Sequence, residues 1–210
     1  MVSQAKAPAS KAKKAPSKDG AVKKRRSPIP RAEGERRLID AAAVLLAQKP
    51  FSEVGVRDIA LLADVNHGFV HTWFGSKNDL IIRVINQLLA GVVTRVEGTE
   101  AGAAAINPTD SDVRLAVRLL IWLDLEGVNS WEILQNQPII QVFTDRYMNT
   151  EGLSAKDARP AAMQAVAVGI AASSFGHVLV QKESDIGSEM GEVFLLWRHI
   201  LGLLAKHPRP

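Results

Sequence analysis

Beyond about residue 34, apolar residues recur at three- and four-residue intervals, and no segment alternates convincingly as a strand would. In "ERRLIDAAAVLLAQK", from Glu35, residues Leu38, Ala42, Leu45 and Leu46 form one stripe, with Arg36, Arg37 and Asp40 off it. Pro50 ends this helix. "VRDIALLA" predicts a short helix over 56–63 with Ile59, Ala60 and Ala63 inward. After a break at Asp64–Val65, "VNHGFVHTWFGSK" places Val70 and Phe74 on one face. Gly75 and Ser76 then break and cap the chain. A long helix follows from Lys77 to about Glu97, with Leu80, Val84, Leu88 and Val92 at helical spacing.

"EGTEAGAAAINPTDS" reads as a connection, and "DVRLAVRLLIWLDLEG" as a mainly apolar helix. Pro138 opens another, "PIIQVFTDRYMNT", from a first-turn position. "EGLSAKDARP" reads as a loop, followed by a helix over 161–181 and a last one, "SEMGEVFLLWRHILGLLAKH". The segment Ala161–Val180 has no formal charge and is long enough to span a bilayer. It is nevertheless mostly Ala, Gly and Ser, with Gln164 and His177 inside it, so a buried helix is expected and no membrane contact. His177 and His199, in apolar helices, read as core histidines. The expected fold class is all-α, without internal repeats.

Charge divides the chain unevenly. Residues 1–31 hold ten basic residues against the single acid Asp19, so this tail carries +9 of a net +4 and the remainder carries −5. With little to bury, the tail is expected to be disordered. It reads either as a solubilising leader or, preferably, as a cationic arm for nucleic acid through Lys23, Lys24, Arg25, Arg26 and Arg31. The absence of cysteine excludes thiolate sites, disulfides and thiol catalysis and fits a reducing, cytoplasmic compartment. The first residues show no secretory signal.

His67 and His71, four apart, first suggest a metal pair. Zinc needs further ligands, and the nearest acids, Asp64 and Asp79, lie at opposite ends of the segment with no H-E-x-x-H pattern. The alternative comes from the helix order: short helices separated by a tight turn, then a long one, as in a helix-turn-helix. With Val70 and Phe74 turned inward, Asn66, His67, Phe69, His71 and Thr72 are left for a major groove, and Gly68 permits close approach. No phosphate-binding loop, nucleophile elbow or carboxylate pair argues for catalysis, so the chain is expected not to be an enzyme and to need no metal or cofactor.

The stretch "GERRLIDAAAVLLAQKPFSEVGVRDIALLADVNHGFVHTWFGSKNDLI" resembles the DNA-binding domain of TetR-family transcriptional regulators over roughly residues 34–82. Its strongest parts are "VRDIALLADV" and "WFGSKNDL". The resemblance implies that Arg57 reaches the DNA backbone or a base. It puts His67, Gly68, Phe69, His71 and Thr72 on the reading face, with Lys77 on a phosphate. Three positions depart from the family pattern. Gly55 replaces the usual Ser or Thr cap, Asp64 stands where Gly is usual, and His71 stands where a phosphate-contacting Tyr is usual. The last exchange keeps a donor but makes the contact pH-sensitive in expectation.

The resemblance further implies an amino-terminal three-helix DNA-binding domain (32–78) after the arm (1–31), then a helical ligand-binding and dimerisation domain (79–210). Two heads on a two-fold axis would read a palindromic site in double-stranded DNA as a homodimer. Ala167, Ala171, Gly176, Leu179, Phe194, Trp197 and Leu201 are the expected dimer contacts, unless those helices only complete the monomer core. Trp122, Trp131, Phe143, Tyr147 and Met163 suggest an apolar pocket for an unidentified small-molecule effector, with His177, Gln135, Asn136 or Gln137 as polar fixings. The expected function is a ligand-responsive repressor. The alternative is an architectural DNA-binding protein with little sequence choice.

Overall fold

The computed structural model describes residues 29–100, 107, 109–129, 138–180, 182 and 185–207. Lys23, Lys24, Arg25, Arg26, Trp131, Gln135, Asn136 and Gln137 lie outside them. Among these residues eight α-helices and one 3-10 turn follow in order: α1 Arg31–Gln48, the turn Phe51–Glu53, α2 Val56–Leu62, α3 Gly68–Phe74, α4 Lys77–Gly98, α5 Ser111–Leu125, α6 Pro138–Thr150, α7 Ala155–Leu179 and α8 Ile186–Lys206. Among the described residues there is no strand.

The first four helices, with Leu115, Leu119 and Leu123 of α5, enclose a dense core. Leu38 and Leu46 from α1, Ile59 from α2, Val70 from α3, and Leu80, Ile81, Val84 and Ile85 from α4 are almost wholly removed from water. Burial of each such side chain contributes about 1.5–3 kcal/mol before conformational entropy is set against it. A second cluster joins Val92 and Val96 near the end of α4 to Phe143 and Tyr147 of α6, Ala158, Ala161 and Ala162 of α7, and Leu201 of α8. Helix α4 thus belongs to both clusters. The packing changes within it, between Ile85 and Val92, and not at the expected division at residue 78.

Two helices begin earlier than their hydrophobic pattern suggests. Helix α1 starts at Arg31, where Glu33 takes charged hydrogen bonds from Arg36 and Arg37 and its carboxyl is held below its usual range, chiefly by Arg37. Helix α7 starts at Ala155, inside the expected loop over 151–160. Ser154 accepts from the Asp157 amide at 3.2 Å and donates to the Asp157 carboxylate at 2.8 Å, a local cap that starts the helix inside that stretch. By length and composition α7 could cross a membrane, but it buries Asp157 and sends Ala158, Ala161, Ala162 and Ala172 into the protein core. His177 and His199 are exposed, not core histidines.

Candidate nucleic-acid interface and cavity

Helix α2 ends in a turn that fixes the direction of α3. Asp64 adopts φ 54°, the left-handed region, where an Asp is tolerated better than most residues. Its amide reaches Leu61 O at 3.2 Å, and the Val65 amide reaches Ala60 O at 3.0 Å. These two bonds close the end of α2, and Val65 is buried beneath them. At the other end Gly55 supplies no cap side chain, yet Asp58 accepts from the Gly55 amide at 3.1 Å and restores half the cap. Gly75 at φ 93° then turns the chain sharply out of α3. Ser76 caps α4 by accepting from the Asp79 amide at 3.1 Å.

This frame seats Val70 fully inside and leaves Asn66, His67, Gly68, Phe69, His71 and Thr72 exposed on the first turns of α3 and the approach to it. They form one continuous surface, with Arg57 exposed on α2. Several of these groups already have local work. Asn66 Oδ1 accepts from the Gly68 amide at 2.9 Å. Thr72 donates to Gly68 O at 3.1 Å. His71 Nδ1 lies 3.3 Å from Gly75 O. A carbonyl can only accept, so Nδ1 carries the proton there and Nε2 remains the outward atom.

Lys77 departs from the expected open phosphate contact. Its ammonium donates to Phe51 O at 3.1 Å and lies 3.9 Å from the centre of the Phe51 ring. Burial there pushes its pKa down. The opposite partner of Phe51 is Trp122 of α5, stacked at 3.3 Å between ring centres. Arg118, one turn earlier, donates to Leu46 O at the end of α1 at 2.6 Å. Lys77, Phe51, Trp122 and Arg118 therefore form a junction between the helix-turn-helix and the later helices. Sequence reasoning placed Trp122 in a ligand pocket, because nothing local marks Phe51 as its partner. Arg31 is likewise engaged locally, with Glu35 at 2.6 Å.

A cavity of about 210 Å³ lies among α6, α7 and α8. Phe143 and Tyr147 line it, together with Gln164, Ala165, Val168, Met190, Val193, Phe194, Leu196, Trp197 and Ile200. Trp122, Met163 and His177 do not line it: Met163 is 54% exposed on α7, and His177 is exposed beyond the cavity. Among the described residues, no acidic or basic side chain lines this space. Its polar atoms include Gln164 and the Tyr147 hydroxyl, which accepts from Trp197 Nε1 at 3.3 Å. Burial pushes the Tyr147 phenol pKa up, so it stays neutral.

The expected dimer residues divide. Leu179 and Ala167 are exposed, Ala171 is half-buried, and Phe194 and Trp197 turn toward the cavity. Leu201 and Gly176 are buried within the monomer, because Leu201 fills the second core cluster, and neither is open to a partner. The apolar face that does lie open is one sequence reasoning did not pick out: Ile170, Phe175 and Val178 on α7 with Val193, Leu196, Ile200 and Leu203 on α8.

A long α4 capped onto a closed α1–α2–α3 core, with helices beyond, defines an all-helical protein of the helix-turn-helix class. Residues 38–84 match the pattern of the bacterial regulatory proteins, tetR family. The chain is 31% identical over 126 residues to the HTH-type transcriptional repressor Rv3405c of Mycobacterium tuberculosis, an alignment covering 60% of this chain and 64% of that relative. Among solved structures it is similar to Salmonella enterica GusR, with a TM-score of 0.60 at 20% identity over 82% of this chain and 95% of the other. It is also similar to the fatty acid degradation regulator FadR from Bacillus halodurans, with a TM-score of 0.51 at 16% identity over 82% and 97%. At these identities the structural likeness concerns the fold.

Proposed function

We propose that the chain is a cytoplasmic, homodimeric, sequence-specific DNA-binding regulator, a binding protein and not an enzyme, with a small-molecule effector that controls it. The observation that carries this reading is the α2–turn–α3 unit, rigidly closed by the Asp64 turn and Val70, with an uncommitted surface on the first turns of α3. His67, Gly68, Phe69, His71 and Thr72 meet the major groove, and Arg57 and Asn66 flank them. Lys77 acts mainly by holding the 3-10 turn through Phe51. The basic residues of the tail, Lys23, Lys24, Arg25 and Arg26, add a sequence-independent attraction for phosphates.

Dimerisation falls to the open apolar face of α7 and α8. Single exposed apolar side chains are ordinary on protein surfaces, but a contiguous set across two packed helices marks an interaction site. The effector site is the cavity that opens onto this face and shares Val193, Leu196 and Ile200 with it. Lined, among the described residues, by aromatic and aliphatic groups and by no charge, it suits a neutral, largely apolar molecule oriented by Gln164 or Tyr147. The groove of about 560 Å³ along α4 and α6 is the poorer candidate, since Glu97, Asp145 and Arg146 line it and Arg146 donates to Val96 O, Thr99 O and Glu100 O. Binding in the cavity would shift the populations of DNA-competent and incompetent dimers. Repression is the mode we propose, as in the relative's name.

The test is selection of bound sequences from a random duplex library by the full chain. One enriched inverted repeat, its half-sites one or more helical turns apart, is the expected result. Binding with no enriched sequence would instead make the protein an architectural DNA binder.

A further inference from the structure

Phe69 stands apart from the other residues on the reading face, because it can neither donate nor accept a hydrogen bond. It is the second residue of α3, it is 42% exposed, and its ring is not loose. Phe69 stacks on Trp73, one turn later, with ring centres 4.3 Å apart and planes 2° from parallel. The Trp73 indole in turn lies across α1 at Gly34. A Cβ at that position would stand 2.6 Å from two of the indole carbons, so the indole fits there only because residue 34 has no side chain. Gly34 is buried and Trp73 half-buried, whereas Phe69 is the exposed member of the series. The arrangement fixes a flat apolar ring at the start of the recognition helix, the end whose residues contact base edges.

A ring with no polar atom cannot read the donors and acceptors that a major groove displays. The one apolar group that a base presents there is the 5-methyl of thymine. We propose that Phe69 is a thymine reader, its ring packed on the 5-methyl group of one thymine in each half-site, and that Trp73 is the positioning residue that holds it there from its seat on Gly34. The inference rests on the regulator reading above and adds the identity of one base in the site and the residue that selects it. It also gives Gly34, far from α3 in sequence, a role in base selection.

The probe is the duplex enriched from a random library by the full chain. Each thymine in it is replaced singly by deoxyuridine, which keeps the base pair and removes only the methyl. For the unmodified protein one thymine per half-site should be sensitive, its methyl removal raising Kd about fourfold, as expected for one buried carbon. Phe69→Ala, at an exposed position, should bind the thymine and deoxyuridine duplexes equally. Gly34→Ala, which forces the indole off its seat, should lower the methyl discrimination toward one while leaving the salt dependence of binding unchanged. Trp73→Phe, which keeps a ring beneath Phe69, should retain most of it.

Four results overturn the proposal or part of it. If no thymine is methyl-sensitive, or if the sensitivity persists in Phe69→Ala, Phe69 is not the reader. If Gly34→Ala keeps full discrimination, Trp73 has no positioning role. If the chain enriches no sequence at all, the regulator reading fails and this proposal with it, a result distinct from enrichment without methyl sensitivity.

Discussion

The two clusters of this protein are built from the same residue types and finished to different degrees. In the first, α1 to the middle of α4, the inward aliphatic stripes are removed from water, and the large apolar residues left outside, Val44, Leu61, Leu62 and Phe69, are scattered over three helices. In the second, α7 and α8 close only one side. Leu201 is 1% exposed while Leu196, on the same helix, is 62% exposed, and Phe175 and Leu203 are 55% and 48% exposed. The first region closes within the monomer. The second leaves apolar side chains open to water. Under the proposed function such a body would pair two chains and set how far apart their reading surfaces stand.

The comparison breaks most visibly at Leu80. Leu80→Ala removes a fully buried side chain shared by α4 and the helix-turn-helix, and should lower stability by about 2–5 kcal/mol, read as a shift in the urea midpoint. If the loss stays under about 1 kcal/mol, the first core is not as closed as described.

A smaller effect is expected at the junction between the regions. Trp122→Ala removes the stack beneath Phe51 and should cost about 1–2 kcal/mol. Lys77→Met keeps the stem but loses the bond to Phe51 O and the ammonium over the ring, and should cost about 1 kcal/mol. The two substitutions act on one ring, so their effects should not add in the double variant. Additive losses would mean that Lys77 and Trp122 hold separate structures. The smallest effect is local: Ser154→Ala removes the α7 cap and should cost about 1 kcal/mol with no change at α3.

The same contrast explains what the sequence disclosed. The α2–α3–α4 frame was legible because its signals are local: one apolar stripe per helix, a turn at Asp64, a break at Gly75 and a cap at Ser76. The start of α7 was missed because "EGLSAKDARP" reads as a loop, although the Ser154–Asp157 pair inside it is a readable cap signal. The junction was not legible, since Phe51 and Trp122 meet only through the packing of α4 and α5. Nor was the division of α8 into core and open face. Leu196 and Leu201 belong to one apolar run, and periodicity cannot tell a residue that fills a monomer from one that awaits a partner. The seat of Trp73 on Gly34 was hidden for the same reason.

The central claim is that the open face of α7 and α8 pairs two chains whose reading surfaces are otherwise independent of it. Sedimentation of the full chain, alongside Phe175→Glu and Leu203→Glu, tests it most directly. The account predicts twice the chain mass for the unmodified protein at micromolar concentration. It predicts single-chain mass for both variants with helix content retained, since neither residue belongs to a core cluster. An unmodified protein that sediments as a single chain, or variants that remain dimers, would contradict it.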